Sequence, residues 1–120
     1  MRRAPIVVAV LACSTLARAH VRLEKSAPAA GETLAAPPAF VQLWFEGTVE
    51  VRYCKIAVSG PDKKAVRTGK LEALDEGASL RTTLEPGLPP GAYHVAYDVL
   101  SADGHKLQGG FDFAIGSTAR

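Results

Sequence analysis

The chain has 120 residues, with 14 lysines and arginines against 12 aspartates and glutamates, and 48% of its residues are hydrophobic. That length suits one small domain that can bury its own core. The near-balance of charge gives no electrostatic ground for nucleic acid or anionic lipid as a partner.

Residues 1–19 read as a secretory signal. Arg2 and Arg3 supply the basic start, Ile6 to Ala12 the apolar run, and Ala17 and Ala19 the small residues flanking a cut before His20. The apolar run is shorter than the ~20 residues that cross a bilayer, and nothing later is apolar enough to do so. The expectation is an exported, soluble product without a membrane anchor. The signal carries Arg2, Arg3 and Arg18 and no acid, so the mature chain His20 to Arg120 keeps 11 basic residues against 12 acidic ones. Val10-Leu11-Ala12-Cys13 offers a rival reading, since it resembles a lipoprotein cleavage box; with Cys13 as the first residue, His20 would be internal. Cys54 is the only cysteine beyond the signal. One thiol closes no intramolecular disulfide, so the domain must be held by its core. Cys54 itself reads as a buried small hydrophobe or as a soft metal ligand.

Several segments then alternate apolar and polar residues with the period of a half-buried strand, and none shows a helical period. A first strand is expected near Val21 to Lys25, followed by an irregular Ala/Pro-rich connector over residues 27–39. In the next strand Val41, Leu43 and Phe45 point one way, and Gln42, Trp44 and Glu46 the other. Ile56-Ala57-Val58 alternates after Cys54, and Leu80, Thr82 and Leu84 repeat the pattern. Tyr93, Val95, Tyr97 and Val99 mark a strand over Ala92 to Leu100, and Phe111, Phe113 and Ile115 one over Lys106 to Ile115. Breakers such as Gly60-Pro61-Asp62, Asp75-Glu76-Gly77 and Pro86 to Gly91 separate them. The pattern predicts an all-β fold, an immunoglobulin-like antiparallel sandwich of about seven strands. Tyr93, entering its strand after Leu88-Pro89-Pro90-Gly91, is either an ordinary core residue or a tyrosine corner.

Ser101-Ala102-Asp103-Gly104-His105 links the last two strands. Asp103 and His105 are two residues apart, so an extended backbone puts both side chains on one side, and Gly104 permits the turn. His20, as a first residue, would offer its free α-amine and ring Nδ1 together as a chelate. The three residues would supply an amine, two imidazole nitrogens and a carboxylate. Such nitrogen-rich ligation favours Cu(II), with zinc as the competitor. Cu(I) prefers thioether and thiolate ligands, and the only methionine is Met1. Taken singly, a histidine after a cleavage site, an Asp-Gly turn and a loop histidine are all ordinary; their coincidence is what points to a site. His94 alternates with the apolar face of its strand and reads as a solvated surface residue.

Several pieces together carry a family resemblance. They are His20, the stretch Ser26 to Glu32 before Pro37-Pro38, Leu43-Trp44-Phe45, the Leu88 to Tyr93 turn, and Ser101 to His105 followed by Gly109-Gly110-Phe111-Asp112-Phe113. Over nearly all of residues 20–120 the chain resembles the CopC copper-resistance family of periplasmic copper-binding β-sandwiches. The resemblance implies one Cu(II) ion held by His20, Asp103 and His105, in a monomeric periplasmic carrier working beside an inner-membrane partner of the CopD type. Two departures stand out. The family's methionine-rich Cu(I) segment is absent, and Phe45-Glu46-Gly47 stands where many relatives carry Phe-Ser-Glu, which moves the acidic residue to the other side of its strand. Two other functions compete: a copper-dependent redox enzyme, since paired histidines also resemble the brace of oxidative polysaccharide-cleaving enzymes, and an adhesion-type sandwich in which the histidines are incidental.

Overall fold

The computed structural model describes residues 22–116. Among them eight strands form: β1 (Leu23–Ala27), β2 (Thr33–Leu34), β3 (Phe40–Phe45), β4 (Lys55–Ser59), β5 (Glu72–Leu74), β6 (Ser79–Thr83), β7 (Gly91–Leu100) and β8 (Lys106–Ile115). They make two four-stranded sheets, in the orders β1-β3-β6-β5 and β2-β8-β7-β4. Counting β1 and β2 as the two halves of one divided first strand, this is the immunoglobulin arrangement, with the first half in one sheet and the second in the other.

The division of that strand accounts for the eighth element. β1 lies two residues later than expected, because its pairing with β3 runs from Leu23↔Phe45 to Ala27↔Gln42, with a register shift between Leu23 and Lys25. The chain then leaves the first sheet at Pro28 and crosses to the second, where Thr33 and Leu34 pair in parallel with Ala114 and Ile115. The expected irregular connector thus contains a short strand. Two residues are too few to show an alternation, and this element exists only through its partner.

The two inner faces meet in one core. Val41 and Leu43 of β3, Leu80 of β6, and Val95 and Val99 of β7 are fully buried, with Phe45, Val58, Tyr93, Phe113 and Ile115 packed among them. Tyr93 is both core residue and corner. Its ring stacks on Phe113 with centroids 5.3 Å apart, and its hydroxyl donates to the Pro89 carbonyl. The opposite face of β3 is not simply solvated. Gln42 donates to the Ser79 hydroxyl at 3.1 Å, and Ser79 donates to Asp75 at 2.9 Å, so a polar network covers that side of the sheet.

What positions the loop of interest is the hairpin of β7 and β8. Their pairing is unbroken from Gly91↔Ile115 to Leu100↔Lys106. Gly110 within it leaves room for the neighbouring strand, because a Cβ there would lie 2.7 Å from the Val95 carbonyl oxygen. The hairpin therefore presents Ser101 to His105 at one end of the sandwich on a stiff, doubly hydrogen-bonded ribbon.

Candidate metal centre

The loop closes on itself through backbone bonds. Ser101 N–H donates to the His105 carbonyl at 2.8 Å, and Gly104 N–H donates to the Ser101 carbonyl at 2.9 Å. Gly104 has φ +94°, a left-handed conformation that favours glycine. The loop is also tied to the segment that follows β3: Ala102 N–H donates to the Thr48 carbonyl at 2.9 Å, Val49 bridges Ser101, and Glu50 N–H donates to the Leu100 carbonyl at 2.9 Å.

On this frame Asp103 and His105 come together through a turn at residues 102–104 and not through the extended backbone assumed from their spacing. His105 Nδ1 is 3.1 Å from Asp103 Oδ1, and both side chains are about half exposed. The Ser101 hydroxyl donates to the same carboxylate oxygen. That bond first, and the His105 ring second, hold the Asp103 carboxyl below its usual value, so it is an anion at neutral pH. An ionised carboxylate beside an imidazole is a donor pair suited to a divalent transition metal.

The entry of the chain into β1 is at this same end. The Arg22 carbonyl accepts from Glu46 N–H at 2.9 Å, and Glu46 stands two residues before Thr48, which holds the loop. His20 and the signal expected over residues 1–19 lie outside the described residues. Among the described residues no group of three or more His, Cys, Asp or Glu side chains is placed to hold a metal, and Asp103 and His105 form a pair.

The other candidate residues sort by their surroundings. Glu46 faces Arg22, with Oε2 3.8 Å from the guanidinium Nε. Cys54 is buried, its thiol donates to the Glu50 carbonyl at 3.1 Å, and burial pushes its pKa up, which fits the small-hydrophobe reading. His94 is exposed as expected, but its Nδ1 is 2.7 Å from Asp112 Oδ1 across the β7–β8 ladder. Seven residues of extended chain, roughly 23 Å, separate it from Ser101. Trp44 is half-buried with Lys25 Nζ 4.6 Å from its ring centroid, and among the described residues Tyr53 is the exposed large hydrophobic side chain. No helix among the described residues is long and apolar enough to cross a membrane.

Ser101 and Thr48 stand outside the ligand set that the residues alone suggest. Ser101 had a signal, since it lies two residues before Asp103 and so on the same side of an extended chain. Thr48 had none, because it acts through its carbonyl.

Comparison with known proteins identifies the family of this sandwich. The CopC domain profile matches residues 23–116. Protein YobA of Escherichia coli K12 is 32% identical over 99 residues, which cover 81% of this chain and 79% of YobA. The copper transport protein CutJ of Bacillus subtilis is also 32% identical over 99 residues, covering 82% of this chain but 18% of CutJ. The crystal structure of CopC from Methylosinus trichosporium OB3b matches with a TM-score of 0.73 at 32% identity, over 81% of this chain and 94% of that one. PcoC, a methionine-rich copper resistance protein from Escherichia coli, matches with a TM-score of 0.71 at 26% identity, over 81% and 99%. With that profile spanning residues 23–116, the chain belongs to the CopC family of copper-resistance proteins, which are copper binders and not enzymes.

Proposed function

We propose that the protein, cut after Ala19 on export, binds one Cu(II) ion in the periplasm through the α-amine and Nδ1 of His20, the Asp103 carboxylate and the His105 imidazole. The observation that carries this reading is the pairing of Asp103 with His105 at the end of the sandwich where β1 begins. Arg22, two residues after His20, is bonded to Glu46, and Glu46 is two residues from the Thr48 carbonyl that anchors the loop. An extended residue spans about 3.3 Å, so two residues bridge only a short distance.

Three nitrogens and one oxygen suit a tetragonal Cu(II) centre, and copper leads the divalent affinity series. PcoC is described as methionine-rich, whereas this chain has only Met1. That contrast supports a single cupric site without a thioether Cu(I) site. Copper here is cargo: the protein limits free Cu(II) or delivers it. The CopC-like portion of CutJ is a small part of a longer copper transport protein. This supports the view that the present domain works beside a separate inner-membrane partner of the CopD type.

The test is a Cu(II) titration of protein shown by intact mass to begin at His20. One ion per chain is expected. His20→Ala, which removes the ring donor and disturbs the chelate, should weaken binding more than His105→Ala, and one glycine added ahead of His20 should weaken it similarly by displacing the amine. Equal losses from the His20 and His105 substitutions, with no effect of the added glycine, would refute the chelate.

A further inference from the structure

We propose that Ser101 is the positioning residue of the copper site, holding the Asp103 carboxylate and the His105 backbone in their metal-binding arrangement before the ion arrives. The inference rests on the copper reading above and assigns a role to a residue outside the expected ligand set.

Ser101 is 1% exposed, although it belongs to a five-residue loop whose other members are exposed. A serine hydroxyl can donate once and accept, and this one does both within the loop. It donates to Asp103 Oδ1 and accepts from His105 N–H at 3.1 Å. Its own N–H and carbonyl are bonded to the His105 carbonyl and Gly104 N–H. These four hydrogen bonds of Ser101 thus act on the two candidate ligands and the glycine between them. Its backbone is in turn bridged to Val49. Asp103 and His105 reach solvent, but the residue that ties them together does not.

Two consequences follow for metal binding. Ordering two exposed side chains at the moment of binding has an entropic cost, and a loop already held in place avoids part of it. A hydrogen bond to one carboxylate oxygen also fixes the rotation of the carboxylate and directs its other oxygen. Partners of this kind typically alter metal affinity by about 10–100-fold. The geometry makes the hydroxyl, not the side-chain volume, the operative group.

Ser101→Thr and Ser101→Val have the same shape and differ in the hydroxyl, so the pair isolates that group. In protein beginning at His20, Ser101→Val and Ser101→Ala are expected to weaken Cu(II) binding by about 10–100-fold and to change the electron paramagnetic resonance parameters of bound copper. Ser101→Thr should stay near wild type in both. In the metal-free wild type the His105 amide should exchange with deuterium more slowly than that of Asp103, and it should lose that protection in Ser101→Val. A wild type that binds one Cu(II), with Ser101→Val equal to Ser101→Thr in affinity and spectrum, overturns the role of Ser101 and leaves the copper reading intact. A wild type that takes up no Cu(II) overturns the copper reading itself. Should the Val and Ala variants fail to fold, fast exchange of the His105 amide in the wild type would still count against Ser101 and slow exchange for it.

Discussion

Asp98 sits near the C-terminal end of β7, opposite Gln108 on β8 and Lys55 on β4. Lys106 Nζ lies 2.7 Å from its Oδ1. The bond to Lys106 first, and that to Gln108 second, hold the Asp98 carboxyl below the ordinary aspartate value of about 3.9. Between those two values the unfolded chain binds a proton that the folded one does not, so stability rises with pH across that interval. The contribution is complete above the ordinary value and is lost as the pH falls through the folded one. Asp98→Asn should therefore lose less thermal stability than wild type between about pH 4 and pH 2, followed by circular dichroism melts at low salt. Parallel curves for the two proteins would mean that this ion pair adds nothing to folding.

At the scale of elements, one side chain pins the turn before β7 to the β7–β8 ribbon. Tyr93 fills the core against Phe113, and its hydroxyl reaches back to Pro89, so the strand and the turn before it are set in register together. Tyr93→Phe keeps the stacked ring and deletes only that bond. It is expected to lower stability by about 0.5–1.5 kcal/mol, the usual net worth of one buried hydrogen bond. Urea unfolding would measure it, and the copper stoichiometry should be unchanged because the corner and the Ser101 loop lie at opposite ends of β7. A loss of copper binding in Tyr93→Phe would contradict that separation.

At the scale of the whole molecule, the proposed copper ion would link the start of β1, an edge strand of one sheet, to the β7–β8 hairpin of the other. A ligand that binds only the folded chain stabilises it by mass action, by about 2.7 kcal/mol at a free concentration one hundred times Kd. For a domain near 100 residues this should raise Tm by more than ~10 °C. Calorimetry with and without Cu(II) would show the shift, a chelator should reverse it, and His105→Ala should abolish most of it. A wild-type melt indifferent to copper would argue against specific binding.

Some of this was legible in the residues alone, because a two-residue backbone period is a local property. It marked β3, β6, β7 and β8 and put Val41, Leu43 and Phe45 on the buried face, while the turn that sets Asp103 beside His105 was marked by Asp103-Gly104. The tertiary structure decided what depends on partners distant in sequence. β1 takes its bounds from β3 and β2 exists only through β8, while Gln42 is covered by Ser79 across a sheet. The Thr48 carbonyl holds a loop more than fifty residues away, and Arg22 reaches Glu46 at the same end. Backbone bonds between remote segments leave no periodic trace in either one, since any residue but proline supplies the same N–H and C=O.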